Sequence, residues 1–199
     1  MAEERWLIAG LGNPGPEYAG NRHNAGFLVA DLLADRAGAR LRRSKFRASV
    51  GDGRLAGLPV TIAKPATFMN ESGGPVAALR DYYRLPAERI VVLHDELDLP
   101  FGTIRLKLGG GDNGHNGLRS VTAALRTRDY HRLRFGIGRP PGRMDPAAFV
   151  LRDFAALQRK ELPYLIDRSA DAVEALLTDG LAAAQNAFHP GRPHGDDAP

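Results

Sequence analysis

The chain has 199 residues, of which 43% are hydrophobic and 25% charged, with a net charge of +4 and no cysteine. This size and composition predict one compact globular domain, and the lack of cysteine excludes disulfides, cysteine nucleophiles and thiolate metal sites. No apolar run reaches the roughly 18 residues of a membrane span. The charged first residues do not resemble a secretory signal, so we expect a cytoplasmic protein without membrane association.

Apolar residues recur with strand and helix periodicity in alternation along most of the chain. In chain order the pattern predicts a strand at 6–10, a helix at 24–37, strands at 46–53 and 59–63, a helix at 72–84, strands at 89–94 and 103–108, a helix at 118–125, a strand at 133–138, and helices near 149, at 157–177 and at 181–188. This alternation indicates an α/β fold, a single domain whose mixed β-sheet is flanked by helices on both faces. We assign that domain to residues 1–188 and predict that the polar tail 189–199 is disordered.

Residues with special backbone preferences mark several of the predicted boundaries. Gly38 stands where a left-handed helix cap belongs. Ser72, followed by Pro75, is suited to cap the helix at 72–84. Three consecutive glycines open the loop 109–114, which therefore has little side-chain bulk.

The segment Gly10-Leu-Gly-Asn-Pro-Gly15 has the glycine spacing of a dinucleotide-binding turn, which would indicate a nucleotide-dependent oxidoreductase. That turn works by directing the free N–H groups of a helix N-terminus at a pyrophosphate. Here Pro14 removes one donor, and helical periodicity starts only near Asn24. The acidic residue expected at the end of a second strand is missing, because Asp31 and Asp35 fall within the helix. The pattern therefore favours another use of these glycines.

Polar residues collect at the ends of predicted strands, in segments 13–24, 68–70, 94–98 and 115–116. Sites of open α/β sheets lie in such positions. A histidine such as His23 can accept a proton near neutral pH if a carboxylate such as Asp95 orients it. The side-chain amides of Asn13, Asn70 and Asn116 can donate to carbonyl oxygens or to a developing oxyanion.

The chain has no Gly-x-Ser-x-Gly nucleophile motif, so a histidine base would act on water. Hydrolysis of an activated carbonyl, such as an ester, is the chemistry that fits. Structural interpretations stay open at this point: His23 can be a hydrogen-bonded loop residue, and the acidic residues of 94–98 can cap a helix or bind Mg²⁺. The pair Phe68-Met69 is equally typical of a core.

Three longer motifs, in order, resemble the signatures of the bacterial-type peptidyl-tRNA hydrolase family. The first is Gly10-Leu-Gly-Asn-Pro-Gly15 with Tyr18 and Arg22-His-Asn-Ala-Gly26. The second is Lys64-Pro-Ala-Thr-Phe-Met-Asn-Glu-Ser-Gly73, and the third runs from His94-Asp-Glu-Leu-Asp-Leu-Pro100 through Gly114-His-Asn-Gly117. The resemblance implies an α/β esterase, without metal or cofactor, that cuts a peptide from the 3′ ribose of tRNA.

The resemblance also implies a role for each matching residue. His23 corresponds to the catalytic base, Asp95 to the carboxylate that supports it, and Asn13 to the residue that favours peptidyl-tRNA over aminoacyl-tRNA with a free amino group. The positions expected to contact substrate are Tyr18, Phe68, Met69, Asn70, His115 and Asn116. Asn21 departs from the threonine common in the family, with little expected effect.

The tRNA body is expected to bind through its phosphates, by contacts that carry no sequence information. Arg105 and Lys107, on one face of a strand, and Arg134 are the candidate phosphate contacts. We expect a monomer whose partner is peptidyl-tRNA, its acceptor stem and 3′ end together with the peptide. The alternative is a non-catalytic RNA-binding protein of the same fold, which need not retain both His23 and Asp95.

Overall fold

A computed structural model describes residues 4–189 of the chain. The strands are β1 (Trp6–Gly10), β2 (Arg42–Arg43), β3 (Ala48–Leu55), β4 (Leu58–Pro65), β5 (Ile90–Glu96), β6 (Ile104–Leu108) and β7 (His131–Gly136). They form one mixed sheet in the order β2-β3-β4-β1-β5-β7-β6. The four central strands β4, β1, β5 and β7 run parallel, and β2, β3 and β6 pair antiparallel to their neighbours.

Helices cover both faces of this sheet. They are α1 (Ala25–Ala37), α2 (Gly73–Tyr83), α3 (Asn116–Leu125), α4 (Pro146–Val150), α5 (Ala156–Asp179) and α6 (Leu181–Phe188). Buried residues of α1, α4, α5 and α6 share one apolar core with the sheet, and those of α2 and α3 share a second core on the opposite face. The predicted α/β class, a mixed sheet with helices on both faces, is confirmed. Within residues 4–189, every helix is too short or too polar to cross a bilayer.

A few local features differ from the predicted pattern. Strand β2 was not predicted, because it is two exposed arginines with no apolar alternation. The Ser72 hydroxyl donates to the Met69 carbonyl at 2.7 Å and makes no capping bond to α2, so its predicted capping role is wrong. Of the predicted tail, residues 190–199 lie outside the described part of the chain.

The early glycines permit close packing of α1 on the sheet. A Cβ on Gly10 would lie 2.4 Å from the carbonyl oxygen of Gly26, and one on Gly26 would lie 2.2 Å from that of Leu93. Carbon and oxygen atoms do not approach that closely, so both positions require glycine. A short 3-10 turn, Pro16–Tyr18, follows the glycines instead of a long helix. The spacing that suggested a dinucleotide thus serves contact between α1 and its strands.

Side chains from α6 occupy the outer edge of the sheet at β6. The N–H of Leu106 donates to Nε2 of His189 at 2.9 Å, and its carbonyl accepts from Nε2 of Gln185 at 3.1 Å. At the opposite edge, β2 is short and both of its residues are charged. Both edges are therefore poor templates for another strand.

Candidate active site

A cleft of about 520 Å³ lies beyond the C-terminal ends of the parallel strands β1 and β5. The carboxyl ends of parallel strands meet at one edge of the sheet, so residues distant in sequence converge there. The lining residues are Asn13, His23, Phe68, Met69, Asn70, Asp95, Glu96, Leu97, Asn113, Gly114, His115, Asn116, Asp145, Pro146, Ala147, Val150 and Leu151. Eight of the twelve predicted site residues, Asp95 among them, line this one cavity. Tyr18 and the three basic residues do not line it.

His23 and Asp95 form a buried hydrogen-bonded pair. Nδ1 of His23 is 2.8 Å from Oδ2 of Asp95, which is 2% exposed. Because an ionised carboxylate only accepts, Nδ1 carries the proton and Nε2 is left with a free lone pair. Burial alone would lower the pKa of His23, but the charge of Asp95 and its hydrogen bond raise the pKa above the ordinary histidine value. The arrangement suits a general base.

His115 occupies the second oxygen of Asp95. Its Nε2 lies 2.8 Å from Oδ1, and its Nδ1 accepts the backbone N–H groups of Gly117 and Leu118 at 3.1 and 3.2 Å. Since Nδ1 accepts, the proton sits on Nε2 and is donated to the carboxylate. Burial opposes ionisation of Asp95, yet the two histidines hold the pKa of this carboxyl well below its ordinary value. His115 therefore caps α3 and orients Asp95 at the same time.

His94 lies behind this pair, fully inside the protein. Its Nδ1 donates to the backbone carbonyl of Asp95 at 2.8 Å, and within residues 4–189 its Nε2 has no hydrogen-bond partner. Burial, aided by the neighbouring His115, lowers the pKa of His94 to about 3. This ring is thus neutral at physiological pH and supports the Asp95 backbone without titrating there.

Asn13 is held in a fixed orientation at the floor of the cleft. Its backbone N–H and carbonyl are bonded to the side-chain amide of Asn24 at 2.9 and 3.0 Å. Its Oδ1 accepts the N–H of Met69 at 2.7 Å. Oδ1 is thereby engaged, and Asn13 lines the cleft. Asn24, which the sequence did not single out, holds the backbone of Asn13, and the N–H of Met69 orients its side chain.

The other predicted substrate contacts surround the mouth of the cleft. Phe68 is 56% exposed, an unusual state for a large aromatic residue. Tyr18 packs edge-on against it, with ring centroids 6.4 Å apart, and reaches the cleft only through this contact. Asn70 and Asn116 are exposed at the rim, whereas Met69 is buried in the wall.

The three predicted basic residues lie outside the cleft, on the edge strand β6 and on its neighbour β7. Arg105 and Lys107 are half-buried on β6, and Arg105 pairs in register with Arg134 of β7. Arg134 donates twice to Oε1 of Glu96, at 2.8 and 3.0 Å, and the same oxygen accepts from Asn113. Arg134 is therefore committed to a carboxylate at the cleft wall.

One wall of the cleft includes the helix predicted near residue 149, but its place in the site was not predicted. It is α4 with Leu151, and it supplies mainly apolar surface: Pro146, Ala147, Val150 and Leu151. Asp145 caps this short helix by accepting from the N–H of Ala147 at 3.1 Å. In sequence the wall follows a segment rich in proline and glycine, and a five-residue helix is too short to show periodicity. The helix near 149 and the Asp-Pro pair at its start were visible in the sequence, but neither indicated that this segment borders the cleft.

The acidic cluster is better explained by hydrogen bonds and ion pairs than by a metal ion. Within the described residues, His23, Asp95 and His115 each bring one potential ligand atom within 4.8 Å of one another. Both N···O distances are 2.8 Å, the length of a direct hydrogen bond, and an ion would require both ring nitrogens to lose their protons. Glu96 and Asp98 are paired with arginines. The donor set does not fit the Mg²⁺ interpretation.

Comparison with known proteins identifies the family of this chain. A family model described as peptidyl-tRNA hydrolase matches residues 7–196. The chain is 65% identical to the peptidyl-tRNA hydrolase of Frankia alni, over 92% of this chain and 93% of that one, and 63% identical to that of Streptomyces coelicolor, over 92% and 94%. The crystal structure of peptidyl-tRNA hydrolase from Acinetobacter baumannii superposes with a TM-score of 0.88 at 39% identity, covering 94% of this chain and 96% of that one. The resemblance seen in the three motifs is confirmed: the chain belongs to the bacterial-type peptidyl-tRNA hydrolase family.

Proposed function

We propose that this protein hydrolyses the ester between a peptide and the 3′ ribose of tRNA, with His23 as general base, and so recycles tRNA from prematurely released peptidyl-tRNA. The activity follows from membership of the family and from relatives named peptidyl-tRNA hydrolase at 63% identity and above. The observation that carries the assignment of the base is the buried His23–Asp95 pair, whose free Nε2 belongs to a residue lining the cleft.

The pair supports a complete reaction without a covalent intermediate. Nε2 of His23 takes a proton from water as the water oxygen attacks the ester carbonyl, and the imidazolium that forms is stabilised by Asp95. When the tetrahedral intermediate collapses, the C–O bond to the ribose breaks. The proton on Nε2 then passes to the departing ribose oxygen, which restores neutral His23, and the carboxylic acid formed on the peptide loses its remaining proton to solvent.

Side-chain amides provide the donors that this reaction needs. Asn13 lines the cleft and its Oδ1 is engaged by the N–H of Met69, so its Nδ2 is the donor assigned to the substrate. A peptidyl ester offers an amide carbonyl near the scissile bond, and a free aminoacyl ester does not. A buried donor left without an acceptor weakens binding of the wrong substrate, so Asn13 is the proposed discriminator. Asn70 and Asn116, at the rim, bind and orient the ester and its flanking groups.

Other substrate parts are assigned to the surroundings of the cleft. Phe68, supported by Tyr18, offers an exposed ring on which the terminal adenine of tRNA can stack. Met69 contributes apolar wall, and Arg105 and Lys107 bind phosphates of the acceptor stem. His115 acts through Asp95 rather than through substrate. We propose a monomer that works in the cytoplasm, where its tRNA substrate is found, and that needs neither metal nor cofactor.

The test compares an N-acetylated aminoacyl-tRNA with the same aminoacyl-tRNA carrying a free amino group, both in excess EDTA. We expect release of the acetylated amino acid only, and loss of release in His23→Ala at unchanged thermal stability. Asn13→Asp keeps the acceptor for Met69 but removes the donors, so it should lower kcat/KM for the acetylated substrate by about a hundredfold. If well-folded wild-type protein released neither amino acid, a non-catalytic RNA-binding function would replace this one.

A further inference from the structure

Arg22, the residue before the proposed base, is a buried cation. It is 7% exposed, and its guanidinium lies over the ring of Phe149 at 4.1 Å. It donates to the carbonyls of Asp153 and Arg152 at 2.8 and 3.4 Å and to the side-chain oxygen of Gln158 at 3.3 Å. These contacts bind the cation to neutral oxygens and to an aromatic face.

The contacts of Arg22 belong to a larger junction between two distant segments. The backbone N–H of Arg22 donates to the carbonyl of Arg152 at 3.0 Å. Nδ2 of Asn21 donates to Oδ1 of Asp153 at 2.8 Å, and the N–H of Phe154 reaches the carbonyl of Gly20 at 3.4 Å. The segment before His23 is thereby tied to the segment that follows α4.

This junction joins two sides of the cleft. On one side, His23 stands in the 3-10 turn Arg22–Asn24. On the other, α4 has only five residues, and a helix that short is not stable by itself. Its position depends on what it packs against, and Phe149 within α4 is the residue on which the Arg22 guanidinium lies. One side chain thus contacts both the turn of the base and the opposite wall.

The cost of burying Arg22 indicates a role beyond stability. Burial and the nearby Arg152 lower the pKa of Arg22, which shows that its charge is disfavoured at this position. A buried cation stabilises a fold no better than a well-packed apolar residue of similar volume does. Its Nε has no hydrogen-bond partner within residues 4–189. What the guanidinium does provide is a planar set of donors that reaches several carbonyls at once.

We propose that Arg22 is a positioning residue that fixes the α4 wall relative to His23, and that this wall holds the peptide next to the scissile ester. The inference rests on the proposed function. The wall is apolar, which suits peptide side chains, whereas the candidate phosphate contacts Arg105 and Lys107 lie on β6, away from it. Loosening the wall should therefore weaken binding of the peptide and leave binding of the tRNA unchanged.

The experiment uses Arg22→Met, which keeps length and contact with Phe149 but removes the charge and donors. Two substrates share one tRNA, the first with an N-acetylated amino acid and the second with an apolar tripeptide. We expect KM for the tripeptidyl substrate to rise about tenfold, as for other displaced positioning groups, and KM for the acetylated one to rise much less. The pH midpoint of kcat should not move, because the bond between His23 and Asp95 is retained.

The matched control is Arg36→Met. Arg36 also joins two segments, through Asp167, Asp171 and Glu174 of α5, and does not line the cleft. The Arg36→Met variant should lose thermal stability without a change in KM for either substrate. If Arg22→Met does not fold, Asn21→Ala takes its place in the experiment. Asn21→Ala removes a single contact of the junction and should raise KM for the tripeptidyl substrate in the same way but by less.

Two results would overturn the inference: wild-type KM for the tripeptidyl substrate in folded Arg22→Met, or equal losses on both substrates. Both results can be observed only if the wild-type protein cleaves these substrates. Failure of the proposed function would instead appear as a wild-type protein that cleaves neither substrate, so the two failures are distinguishable.

Discussion

His115 donates its Nε2–H to one oxygen of the Asp95 carboxylate at 2.8 Å, while His23 uses the other oxygen at the same distance. The carboxylate is thereby held between two imidazoles. The tautomer of His115 is set by two backbone N–H groups of the first turn of α3. Orientation of the proposed base thus depends on a helix terminus that the substrate need not touch.

Replacing His115 by two different amides should separate these contacts. In His115→Gln the side-chain N–H₂ can take the place of Nε2 and still donate to Asp95, whereas in His115→Asn it is too short to do so. A lost hydrogen bond to a charged group costs about 1.5–3 kcal/mol, so we expect kcat to fall about tenfold or more in His115→Asn and less in His115→Gln. Steady-state kinetics on the acetylated substrate measure this. Equal losses in both variants would show that His115 does not act through its donor.

The raised pKa of His23 predicts the shape of the pH–rate profile. Only neutral His23 accepts a proton, so the rate should rise with pH through a midpoint above the ordinary histidine value and then level off. Asp95→Asn removes the charge that raises the pKa. The midpoint should move to lower pH, while the plateau falls about a hundredfold because the imidazolium is less stabilised. A midpoint that stays in place would contradict the assigned pair.

His94 should make the protein sensitive to acid. Its pKa is about 3 in the folded state against 6.5 for a free histidine, so between these values the unfolded chain binds a proton that the folded chain does not. This contribution to the free energy of unfolding is complete above pH 6.5 and is lost towards pH 3, at about 1.4 kcal/mol per pH unit. His94→Asn keeps a donor for the Asp95 carbonyl but does not titrate. Urea unfolding at several values between pH 7 and 4 should give a shallower slope for this variant, and parallel slopes would refute the role.

The basic residues of β6 can be tested apart from chemistry. The double variant Arg105→Ala, Lys107→Ala should raise KM for full-length peptidyl-tRNA and leave KM for a short peptidyl-nucleotide unchanged. The salt dependence of tRNA binding should also become weaker, because fewer phosphate counterions are released. Equal effects on the two substrates would remove the phosphate assignment. Arg134→Ala is expected to behave differently, since it also frees Glu96 at the cleft wall.

The fold and the pairing of His23 with Asp95 were predictable because they follow from long-range rules. Apolar periodicity located the parallel strands, and His23 and Asp95 each follow or end such a strand, where side chains converge. The proposed substrate contacts at the rim were identified through the resemblance of the motifs to the family. Phe68 illustrates this: its exposure could not be derived from periodicity, which favours burial of an aromatic residue.

What was missed depends on single side-chain bonds between segments far apart in sequence. The sequence shows no periodic trace of three such contacts: the bonds of Asn24 to the Asn13 backbone, the capping of α3 by His115, and the pairing of Arg134 with Glu96. Arg134 is the clearest case, because strand alternation places it beside Arg105 but does not show that a carboxylate on the neighbouring strand already binds it. A helix near residue 149 was predicted, but its contribution to the cleft was missed because that depends on tertiary contacts that a five-residue helix does not reveal in sequence.

The contacts of Gln185 and His189 with Leu106 affect how the protein associates with other copies of itself. They occupy the N–H and the carbonyl at the centre of β6, where a strand from another molecule would otherwise pair. A protein truncated before Gln185 would retain every residue of the cleft and yet present an open strand edge. We expect the truncated protein to self-associate at concentrations at which the longer chain stays in solution. In that case α6 contributes to colloidal stability as well as to folding.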